Sequence, residues 1–108
     1  MLNYSKKIFS IFLILNLTFV SSAQAEATFV DSFDVSTQDT TPRGLSFNND
    51  GTKMFVVGDN GNDINEYTLS VGFDLTSTVT HVGKFVITDQ ETNPQGIAFN
   101  ITGTKMFI

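Results

Sequence analysis

The run Asp59-Asn60-Gly61-Asn62-Asp63-Ile64-Asn65-Glu66 concentrates carboxylate and amide oxygens, the donors a hard cation such as Ca²⁺ prefers. Asp59, Asn60, Asn62 and Asp63 are the candidate ligands. Their spacing departs from the EF-hand loop, because Gly61 stands where a ligand is required and no acidic residue closes the loop. Asn, Asp and Gly are also what a tight strand connection selects for backbone reasons alone. No metal or cofactor is assigned on this run. His81 is the single histidine and cysteine is absent, so no Ser-His-Asp set, Cys-His pair or multi-histidine centre can be drawn. His81 reads as a surface residue at a strand edge, and no residue is assigned a catalytic role. Asn100-Ile101-Thr102 matches the N-x-[ST] acceptor pattern but falls in an expected tight turn.

The elements that must position these residues come in two copies. Phe33 to Val56 aligns with Phe85 to Ile108 at a displacement of 52 residues, without gaps, and 12 of the 24 aligned positions are identical. A period near 50 residues points to a supersecondary unit that stacks against copies of itself. Where the copies differ, a single unit could carry function: Arg43 stands against Gln95, Thr37 against Asp89 and Asn49 against Ile101. Arg43 and Gln95 fall at the entry to the same expected strand and are candidates for a ligand-facing loop.

Hydrophobic alternation gives the strands. Residues 27–35 are rich in β-branched and aromatic types and are expected to form an outer strand. Gly44 to Phe47 is a short strand, and Asn48-Asn49-Asp50-Gly51 is expected to be a tight primed hairpin turn. Lys53 to Val57 contains four consecutive apolar residues, which requires cover on both faces. Ile64 to Ser70 and His81 to Thr88 complete a four-stranded unit, and no helical periodicity is found between residues 26 and 108. The expected fold class is all-β: four-stranded antiparallel sheets as β-propeller blades with a 52-residue repeat, incomplete at about one and a half blades.

The stretch carried by Pro42, Gly44, Leu45, Phe47, Asp50, Gly51, Lys53, Met54, Phe55 and Val56, and again from Pro94 to Ile108, resembles the β-propeller repeats of the YVTN and NHL-like group, with their pattern Pro-x-Gly-[Leu/Ile]-x-Phe-x-x-x-Gly-x-Lys-[Met/Leu]-[Phe/Tyr]-Val. That resemblance implies a full blade at about 42–88 and the start of the next at 94–108. It also implies a longer ring, closed by further blades or by self-association. Proteins of this group include lactonase-like enzymes, cofactor-bearing oxidoreductases and binding scaffolds, so the fold does not select among them.

Residues 1–25 read as a secretory signal peptide. Lys6 and Lys7 precede an apolar run from Ile8 to Val20, and Ala23 and Ala25 supply the small-residue pattern that places cleavage after Ala25. The run is shorter than the roughly 20 apolar residues a spanning helix needs, so no stable membrane anchor is expected after cleavage. Residues 26–108 then carry four basic residues (Arg43, Lys53, Lys84, Lys105) against eleven acidic ones. Such a surface repels nucleic acid and anionic membranes. The expectation is an exported, periplasmic or secreted, propeller segment acting as a binding scaffold for a protein, a glycan or a small ligand. The alternatives are the N-terminal part of a propeller enzyme with its active site in other blades, or a non-functional truncated product.

Overall fold

The computed structural model describes residues 27–108, so the expected leader and its cleavage point lie outside the described residues. These residues form six strands and no helix: β1 (Pro42–Phe47), β2 (Lys53–Gly58), β3 (Asp63–Leu69), β4 (Val79–Val86), β5 (Ala98–Phe99) and β6 (Met106–Phe107). The first four make one antiparallel sheet in sequential order, and β5 and β6 pair as a separate hairpin. The described residues are all-β, and the strands fall close to where alternation and turn residues place them.

The two hairpins that open each copy of the repeat are built by the same bonds. Asn48 and Asn100 each accept, through Oδ1, the amide of the lysine five residues on, at 2.9 Å in both cases. Their own amides donate to the carbonyls of Lys53 and Lys105 at 3.1 and 3.0 Å. Gly51 and Gly103 sit at φ 71° and 67° and donate to the carbonyls of Asn48 and Asn100. Asp50 is not in the left-handed region, so this is not the primed two-residue turn expected from the sequence. The loop is longer, and the asparagine side chain closes it by standing in for a backbone acceptor.

The faces of the four-stranded sheet divide by strand alternation. Phe55, Val57 and Ile64 share the front, where Val57, Ile64 and Ile87 are buried with Phe55 and Ile97 packed against them. Met54, Val56, Tyr67 and Leu69 share the back and are buried beneath Val35, Phe47, Leu75 and Val79. Both faces of β2 are therefore covered, as its unbroken apolar run requires. The hairpin β5–β6 lies on the front, with the ring of Phe99 4.7 Å from that of Phe55.

One expectation is corrected. Residues 27–35 do not form an outer strand; they pair with no strand among the described residues and instead lay Val35 on the back core, where Phe33 meets the edge of Tyr67 at 5.8 Å. A strand exists only through its ladder, and no adjacent edge receives this segment. On the sheet itself, Met54 is buried and Phe55 half-buried. The exposed apolar side chains are others, among them Leu45, Phe85 and Phe107.

Candidate functional site

The back of the sheet carries a connected set of polar side chains at the β3–β4 seam. Asp63 and Asn65 alternate along β3 with Tyr67, so all three point to one face, and each is at most 1% exposed. Asp63 accepts from Lys84 Nζ on β4 at 2.8 Å and from Asn65 Nδ2 at 2.8 Å. Because the Asn65 amide is spent as a donor, its Oδ1 accepts from His81, whose Nε2 lies 3.1 Å away and carries the proton. The His81 ring meets the edge of Tyr67 at 5.2 Å, and the Tyr67 hydroxyl donates to Gln38 Oε1 at 3.2 Å. Burial, then the nearby carboxylates of Asp39 and Asp63, hold the Tyr67 hydroxyl above its ordinary pKa, so it acts here as a neutral donor.

The register makes this arrangement possible. Glu66 pairs with Gly83 and Tyr67 with His81, so Val82 is an extra residue on β4. That bulge turns Val82 outward and brings His81 onto the face of Tyr67. Asp39, fully buried, reaches the same side from the turn before β1, accepting from the Thr41 amide at 2.7 Å. A side chain at Gly58 would collide with the Asp39 carboxylate, so glycine is the residue that fits there. Each member of the seam from Lys84 to His81 is occupied by its neighbour, and the set fastens β4 and the 36–41 turn to β3.

The candidate cation ligands are not gathered on one centre. Asp63 is taken by Lys84 and Asn65, while Asp59 binds Arg43, whose Nε and Nη2 lie 2.9 and 2.6 Å from Asp59 Oδ2. Asn60 is exposed, and Asn62 holds the turn at φ 45° and accepts the Ile87 amide through its carbonyl. Among the described residues no three Asp, Glu, His or Cys side chains are placed to share a metal ion.

Arg43 owes its position to a second bulge, since Pro42 pairs with Gly58 and Gly44 with Val57, leaving Arg43 as the extra residue. It stands at the rim of a hollow of about 400 Å³ on the back face, whose wall includes Val35, Leu45, Met54, Val56 and Leu75. Gln95 bonds Asn93 Oδ1 at 3.0 Å and lines a different hollow, with Pro94, Gly96 and Phe107. The two ligand-facing candidates thus flank the contact between the copies but share no cavity.

Sequence reasoning missed the seam. Its signal was present as the alternation Asp63-x-Asn65-x-Tyr67 on a strand, but the cross-strand partners depend on the bulge at Val82. No family model, curated protein or solved structure matches the sequence.

Proposed function

We propose that this chain is a segment of an exported β-propeller that acts as an interaction scaffold. The observation that carries the reading is the contact between Gly44 and Gly96, equivalent residues of the two copies: a Cβ on Gly44 would stand 2.7 Å from the Cα of Gly96 and 3.1 Å from the amide of Ile97. Around it, Ile97, Phe99 and Met106 of the second copy face the front of the first sheet. Their equivalents Leu45, Phe47 and Met54 lie on the back of that sheet. Successive sheets therefore stack front to back in one sense, the relation that blades around a common axis share. The hollow beneath Arg43 offers an apolar floor with a polar rim, where Arg43 is paired with Asp59 and Asp31 also stands, suited to a protein, glycan or small ligand that presents an apolar patch beside a polar group.

Export is supported by the leader sequence, and the product should begin at Glu26 when its N-terminus is read after secretion. The stacking is open to a direct test because the chain has no cysteine. In a Phe55→Cys/Phe99→Cys variant, a short bismaleimide should join the two positions within one chain. Failure to cross-link would remove the stacked-sheet reading. Turnover of lactone or ester substrates, abolished by a substitution within residues 26–108, would replace the scaffold with an enzyme.

A further inference from the structure

The same front-to-back relation leaves one of each surface partly uncovered, at Leu45 on the back of the first sheet and at Phe107 on the hairpin. The second copy meets the first sheet with Gly96, Ile97, Phe99 and Met106. The equivalent surface of the first copy is Gly44, Leu45, Phe47 and Met54, and at its inner edge Leu45 remains 53% exposed above the hollow on the back face. The surface that receives the contact is the front, with Ser46 and Phe55 side by side across β1 and β2. Its equivalent on the hairpin is Ala98 and Phe107, paired in the same register, and Phe107 is 57% exposed. One molecule therefore displays a knob surface and a receiving surface of the same design, facing opposite ways.

We propose that the occupant of these surfaces is a second copy of this chain, docked head to tail, with Gly44, Leu45 and Phe47 of one copy seated on Ala98 and Phe107 of the next. The proposal rests on the stacked-sheet reading above. It repeats between molecules a contact that already exists within one, between residues identical or conservatively exchanged: Phe107 for Phe55, Ala98 for Ser46 and Leu45 for Ile97. An interface of two different surfaces is heterologous, so it propagates until a ring closes or an open filament forms. Each step covers large apolar side chains that an isolated chain leaves in water, which is its driving force.

The polarity gives a test that no symmetric interface can pass. The full chain is expressed in an exporting host, and the processed product is followed by sedimentation across a concentration series. The parent should form species above monomer mass. Leu45→Glu removes the knob end and Phe107→Glu the receiving end, both at exposed positions where folding is expected to survive. Each variant alone should be monomeric, with self-association weakened by at least about tenfold, as for loss of a central apolar anchor. Mixed, the two should form a one-to-one pair and nothing larger, because each retains the surface the other lost. A monomeric parent, either single variant still associating, or a mixture that stays monomeric overturns the proposal. The Phe55→Cys/Phe99→Cys cross-link separates the two levels: a monomer that still cross-links internally keeps the stacked sheets and rejects only the head-to-tail partner.

Discussion

Gly44 and Gly96, 52 positions apart, meet across the two sheets, yet only one of them is sterically committed. A Cβ on Gly44 would meet the backbone of Gly96 and Ile97, whereas a Cβ on Gly96 would find nothing within 4 Å. Backbone cannot swing aside as the end of a flexible side chain can, so the strain falls on the sheet contact. Gly44→Val should therefore destabilise the fold by about 1–3 kcal/mol and separate β5–β6 from the front of the sheet. Gly96→Ala should stay within about 1 kcal/mol of the parent. Thermal melts, with amide exchange at Ile97 and Phe99, read the two effects, and equal losses at both glycines would refute the contact as described.

The ion pairs of Asp63 and Asp59 differ in what is left behind when the cation goes. Lys84→Met strands a carboxylate that is 2% exposed, and a loss of about 1–3 kcal/mol is expected, discounted because Lys84 is itself half in water. Arg43→Met parts an exposed pair and should cost less than about 1 kcal/mol. Urea denaturation of both variants ranks them. The reverse order would mean that Asp63 is relaxed by neighbours other than Lys84.

Tyr67 sets the alkaline limit. Its pKa is raised by burial, so the unfolded state loses the phenolic proton first as the pH climbs. The contribution of the neutral hydroxyl is complete below the ordinary value near 10 and is lost as the pH rises through the higher folded value. Between residues 26 and 108 Tyr67 is the single tyrosine, and the sequence has no tryptophan, so the absorbance of that segment reports it alone. Its transition should lie above that of the urea-unfolded chain, and Tyr67→Phe should remove this part of the alkaline destabilisation.

The acid limb rests on turn carboxylates. Asp50 accepts the Thr52 hydroxyl and amide at 2.5 and 3.0 Å, and Asp74 those of Thr76 at 2.6 and 2.9 Å. These bonds, the hydroxyl first, hold both acids below their usual range. On acidification the unfolded state takes up protons first, so their contribution is present above the ordinary value of 3.8 and fades as the pH falls through the lower folded values. An Asp50→Asn/Asp74→Asn variant should show a flatter decline of melting temperature below that point. An unchanged slope would assign the acid sensitivity to other carboxylates.

Much of this molecule is local in origin and could be read before any coordinates. The strand positions follow from alternation at Leu45 and Phe47 and from the continuous apolar run of β2, and the turns from Asn48, Gly51 and their equivalents. These need only neighbours in the chain, because backbone conformation and face assignment are short-range matters. The identity of 12 of 24 residues at a displacement of 52 positions is likewise a property of the sequence alone.

Tertiary structure decided what those units do to one another. Whether residues 27–35 form a strand depends on an edge to pair with, which no property of the segment supplies. The bulges at Arg43 and Val82 redirect Arg43 to Asp59 and His81 to Asn65, dispersing the acidic loop that composition alone would nominate for a cation. The contact of Gly44 with Gly96 depends on how closely two sheets approach. Such distances emerge only when apolar faces compete for cover in three dimensions, where separation along the chain no longer measures separation in space.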